Sequence, residues 1–137
     1  MRTAAVLIAR LIFAFVFAMA AAFKFAGMGA TAAYIGAAGF PAPLLLAWLA
    51  AFFEVALVAA FLTGLYFKEA AIAAAAYVLF LAFAFHGPSH WAKNQDEFGF
   101  FIDHFTFIAG LLFAAVNGPG RALVVRRRSV PSPAAAV

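Results

Sequence analysis

The sequence predicts an all-α integral membrane protein, a four-helix up-down-up-down bundle with both termini in the cytoplasm. Three observations carry this. Four apolar runs, at about 4–26, 43–64, 70–86 and 100–117, fill most of the 137 residues, and about 20 helical residues at about 1.5 Å each cross a hydrocarbon core of about 30 Å. Hydrophobic residues make up 69% of the chain and charged ones only 10%, with mean hydropathy +1.07. A soluble domain carries about 25% charged residues, so that class is excluded. The remaining charges cluster at the ends of the runs. Seven basic residues (Arg2, Arg10, Lys68, Arg121, Arg126, Arg127 and Arg128) lie on the side of the termini, against Lys24 and Lys93 on the other. The positive-inside bias then sets both termini inside, in the cytoplasmic membrane if the source is bacterial.

The elements follow in order. Met1-Arg2 and the small residues at 18–22 imitate a signal peptide, but Arg10 interrupts the apolar region and the run continues beyond them, so it reads as the first membrane helix. Arg10 lies fourteen residues and two heptads before Lys24 on the same helix face, and reads equally as a mere inner-leaflet anchor or as a polar group with a further role. Residues 27–42 read as an outward loop ending in Gly39-Phe40-Pro41-Ala42-Pro43, where Pro43 suits a first helical turn. Gly64 and Lys68-Glu69 form the inner turn, and Tyr66 and Phe67 can lengthen the short third run. Gly87-Pro88 stops the third helix, residues 87–99 form the second outward loop, and Asn117-Gly118-Pro119-Gly120 ends the fourth. Gly27, Gly29, Gly36 and Gly110 permit close backbone approach. The helical domain spans 1–121, and 122–137 is expected as a basic, disordered cytoplasmic tail with nothing to bury.

The basic cluster Arg121, Arg126, Arg127 and Arg128 directly after the last span suits anionic lipid headgroups, not nucleic acid. With no cysteine, the chain has no thiol–disulfide exchange, cysteine-ligated zinc or iron–sulfur chemistry. It carries no nucleotide-binding glycine loop, nucleophile elbow or HExxH motif.

Five ionisable residues within the spans are therefore the candidate ligand or proton-relay set: Lys24, Glu54, His86, Asp103 and His104. All four helices deliver at least one of them to the outer half of the bundle. Glu54 lies about 11 residues into the second run, about 16 Å deep, where a carboxyl group costs about 2.5–3.5 kcal/mol. It reads as a proton-relay or ligand-bonding group, or else as a buried interhelical ion pair fixing the packing. Lys24 either tunes Glu54 or snorkels. Asp103, Gly110 and Asn117 recur every seven residues, which predicts one inward stripe. His104, about 100° away, is then expected to face a neighbouring helix or the outer loop. His86, His90 and His104 match no metal-ligand spacing, so no metal site is assigned.

Taken together, Arg10-Leu11-Ile12-Phe13, Lys24-Phe25, Tyr34 through Gly39-Phe40-Pro41-Ala42-Pro43, Ala47 through Glu54, Leu62-Thr63-Gly64, His86, and Gly110-Leu111-Leu112 through Gly118-Pro119-Gly120-Arg121 resemble the DoxX family of small bacterial membrane proteins. The resemblance covers about residues 6–121. It implies a four-helix membrane subunit associated with redox chemistry, whose relatives include quinone-linked subunits of thiosulfate oxidation. It also places Lys24, Glu54 and His86 on the family's recurrent polar sites. Members often carry a Lys-Asn pair where this chain has Asp103-His104.

Three readings follow. In the first, the chain is a redox-associated subunit with a bound quinone among Phe-rich walls, no intrinsic cofactor, and electrons supplied by partner subunits. In the second it is a structural or assembly subunit of a larger membrane complex, or a homo-oligomer, with Lys24–Glu54 as internal glue. The third, a small transporter, is disfavoured by four spans without an inverted repeat.

Overall fold

The computed structural model describes residues 2–92 and 94–125, and these are all-α. Six helices follow one another: α1 (Arg2–Ala26), α2 (Met28–Ala37), α3 (Pro43–Thr63), α4 (Phe67–His86), α5 (Pro88–Trp91) and α6 (Asp96–Asn117). Four stretches are long and apolar enough to cross a membrane, Thr3–Ala26, Pro43–Thr63, Phe67–Trp91 and Asp96–Asn117. The predicted four-helix architecture is therefore present.

The long helices pack as two pairs, α1 on α3 and α4 on α6, joined between α3 and α4. At the centre, the Phe13 ring lies 5.6 Å from Phe61 and 5.3 Å from Phe107, and Phe17 stacks on Phe61 at 5.9 Å. The inward face of α4 is mostly alanine (Ala70, Ala71, Ala74, Ala75 and Ala82 are buried, with Phe67 and Val78). Small residues there let the backbones approach where large ones on the facing helices fill the gap. Gly110 works the same way: a Cβ there would stand 3.3 Å from the Phe13 ring. Gly36 does so only against Pro43, and Gly29 has nothing near it. Leu44, Leu45, Phe52, Phe113 and Val116 point outward, an arrangement that a lipid surround solvates and water does not.

The structure corrects the expected boundaries. The region 27–42 is not simply a loop, because Met28–Ala37 forms α2 and packs on α3 with Ile35 buried. Gly29 and Gly36 cost helix stability at about 1 kcal/mol each, but four alanines and the tertiary contact outweigh them. The last helix starts at Asp96, four residues before the expected 100.

The largest correction concerns Arg10 and the start of the tail. Arg10 is 2% exposed, so it is not a leaflet anchor. Its Nε donates to Phe61 O (3.0 Å), Nη1 to Pro119 O (3.0 Å) and Ala122 O (2.7 Å), and Nη2 to Leu62 O (2.8 Å) and Leu123 O (3.1 Å). A guanidinium has five N–H donors, and here every one is matched. Phe61 and Leu62 lie in the last turn of α3, whose carbonyls lack helical partners and carry the negative end of the helix dipole. Residues 122–125 are consequently not a free tail: Arg10 holds them, and Val125 N–H donates to Thr63 O at 2.9 Å. Gly64 allows this closure by adopting φ +73°, with Val124 and Pro119 side chains within 3.1–3.3 Å of where a Cβ would stand. Arg121 is exposed. Lys93, Arg126, Arg127, Arg128 and the rest of the expected tail lie outside the described residues.

Candidate functional site

At the end of the bundle away from the termini, α1, α2, α3, α4 and α6 surround a cavity of about 1130 Å³. Ligand pockets commonly measure about 300–1,000 Å³, apolar with a few placed polar groups. The walls here follow that pattern: Leu49, Phe53, Phe80 and Phe85 give apolar surface, and Lys24, Thr31, Tyr34, Tyr77, His86 and His104 supply the polar atoms.

Glu54 stands behind this wall. On α3 the buried residues are Ala47, Ala51, Glu54, Leu57 and Phe61, recurring every three or four positions, so Glu54 lies on the helix's inward stripe. It is 1% exposed. Lys24 Nζ donates to its Oε1 at 2.7 Å, and the Tyr77 hydroxyl donates to the same oxygen at 2.9 Å. Three helices thus meet on one carboxylate oxygen. The other, Oε2, is buried and has no hydrogen-bond partner. Such orphan acceptors are uncommon, because leaving one unpaired costs about 1–3 kcal/mol.

A second cluster lies where α4 meets α6. His86 closes α4, and its Nδ1 lies 2.6 Å from Glu97 Oε2 in the first turn of α6. His104 Nδ1 lies 2.6 Å from Phe100 O. The two imidazole centroids are 5.0 Å apart. Trp91 Nε1 donates to His86 O at 2.9 Å, folding α5 back over the end of α4. Tyr34, on α2 and outside the spans, stacks on Phe85 at 5.0 Å. Burial, and secondarily the charge of Glu97, push its phenol up, which keeps it a neutral donor.

Of the five predicted residues, the structure brings Lys24 together with Glu54, and His86 together with His104. Asp103 joins neither group. It is exposed, as is Asn117, so the predicted inward stripe is wrong at both ends. Adjacent helical residues diverge by about 100°, and His104 takes the cavity side. Among the described residues, no group of three or more His, Asp or Glu could hold a metal ion. Sequence reasoning missed Tyr77, which reads as another core aromatic, and Glu97, which was counted within a loop. It also left Arg10 open between an anchor and a further role, although a lone cation deep in an apolar run is itself a signal of a buried polar partner set.

Comparison with known proteins adds the family. The DoxX family model matches residues 5–87, more than half of the chain, and the chain belongs to the DoxX family. The matched stretch holds Arg10, Lys24, Glu54, Tyr77 and His86, and ends before Glu97 and His104. No curated protein and no solved structure matches the chain.

Proposed function

We propose that this DoxX-family membrane protein is a quinone-linked subunit of a membrane oxidoreductase complex, holding a quinone-type headgroup in the cavity opposite the termini. By the positive-inside bias that end faces outward from a bacterial cytoplasmic membrane. The observation carrying the reading is the cavity of about 1130 Å³, apolar over most of its wall, with the polar groups of the Lys24–Glu54–Tyr77 and His86–His104–Glu97 clusters beside or in that wall. A quinone supplies two-electron, two-proton chemistry, and its electrons would pass to or from partner subunits. The residues here fit such a group: Lys24 and Tyr77 line the cavity and share one oxygen of Glu54, leaving Oε2 as the atom on which a proton could rest. Aromatic walls suit a flat ring and a polyprenyl tail.

A structural subunit is the second reading, favoured by the same Lys24–Glu54 contact, since a buried pair joining helices also fixes packing. The test is mild-detergent purification of wild type and Glu54→Gln, with mass spectrometry of bound lipids and co-eluting proteins. Quinone retained by wild type and reduced several-fold in Glu54→Gln supports the first reading. A stoichiometric protein partner without quinone, unaffected by the substitution, replaces it with the second.

A further inference from the structure

The two imidazoles lining the cavity have their protons assigned by what their Nδ1 atoms touch. A backbone carbonyl can only accept, so His104 Nδ1, 2.6 Å from Phe100 O, carries its hydrogen. A carboxylate can likewise only accept, so His86 Nδ1, 2.6 Å from Glu97 Oε2, is also the donor. In a neutral imidazole one nitrogen donates and the other accepts. In the neutral form of each ring, Nε2 is therefore a bare acceptor. Neither has a protein partner among the described residues, and neither is a sealed buried atom. Both rings line the cavity with their centroids 5.0 Å apart, and they add two acceptors to a wall whose other polar groups include the donors of Lys24, Tyr34 and Tyr77.

We infer that the cavity prefers a headgroup that donates hydrogen bonds, namely the dihydroxy aromatic (hydroquinone) form over its oxidised dicarbonyl form, and that Glu97 is the positioning residue responsible. The inference rests on the quinone-linked reading above and adds the redox form that binds. A hydroquinone O–H satisfies a bare Nε2, whereas a quinone carbonyl sets acceptor against acceptor and leaves both unpaired. Sites built to bond a hydroxyl reject analogues lacking it for this reason. The Lys24 ammonium and the Tyr34 hydroxyl do not discriminate, because the oxygens of both forms accept their hydrogens. Glu97 stands at the start of α6 and is about a quarter exposed, with 23% of its side chain reachable. It fixes the His86 proton on Nδ1 without lining the cavity itself, as outer-shell carboxylates do for functional histidines.

The test is equilibrium dialysis of the full chain in detergent at about pH 8.5, where imidazole is ordinarily neutral, against a short-chain hydroquinone kept reduced and its matching benzoquinone. Wild type is expected to bind the hydroquinone about tenfold or more tightly. Glu97→Leu, which removes the acceptor that holds the proton on Nδ1 and frees it to move to Nε2, should narrow that ratio and raise benzoquinone affinity, a gain that mere loss of structure would not produce. His104→Phe should narrow the ratio independently. Equal binding of the two forms by wild type, or tighter benzoquinone binding, overturns the inference while leaving a quinone site. An unchanged ratio in both variants overturns the assignment to the imidazoles. Binding of neither form overturns this inference and the quinone-linked reading together.

Discussion

The two ends of the bundle treat a buried charge in opposite ways. At the end bearing the termini, Arg10 uses all five donors on carbonyls of α3 and of the turn after α6, and Val125 seals the joint. At the other end, Glu54 is as deeply buried but uses one oxygen twice and the other not at all, behind a cavity instead of packed core. A fully matched polar group holds helices in one arrangement. A partly matched one beside empty space is a poor device for stability and a suitable one for binding or proton exchange. The difference separates the residue that builds the fold from those that would use it.

The largest expected effect tests the closed end. Arg10→Leu strands several carbonyls at about 1–3 kcal/mol each and should lower stability by more than about 4 kcal/mol in detergent unfolding. Arg10→Lys should recover only a minor part, because an ammonium has three donors and no fork. Any ligand loss in these variants should track unfolding.

The open end should behave differently. Glu54→Leu leaves Lys24 without its anion and is expected to cost about 3 kcal/mol, whereas Lys24→Met combined with Glu54→Leu should restore most of that stability yet not ligand retention. If the double variant keeps its ligand, the pair is packing only. Gly64→Ala forces a side chain into φ +73° against Val124 and Pro119 and should cost about 1–2 kcal/mol while sparing the cavity. Tyr77→Phe removes one hydrogen bond to the Glu54 carboxyl and should cost about 1 kcal/mol, and on the quinone-linked reading proposed above it should also lower quinone retention. The smallest effect is expected at Asp103→Asn, within about 0.5 kcal/mol and without change in ligand, since the side chain is exposed.

The sequence by itself determined the number of spans and their approximate bounds, because the cost of burying polar groups in hydrocarbon leaves a one-dimensional record in apolar run length. It also marked Lys24, Glu54, His86, Asp103 and His104 as candidates, since ionisable residues in such runs are expensive. Only the tertiary structure decided the partners. Arg10 reaches carbonyls more than one hundred residues away in the 119–123 turn, and backbone acceptors leave no compositional trace. Tyr77 and Glu97 join the site through the packing of α4 beside α3 and α6. Asp103 and His104 are neighbours in sequence, but helix rotation sends only His104 to the cavity, and that rotation is set by the Phe and Ala contacts between helices. Periodicity states that a helix has faces. Which face meets the cavity is a property of its neighbours.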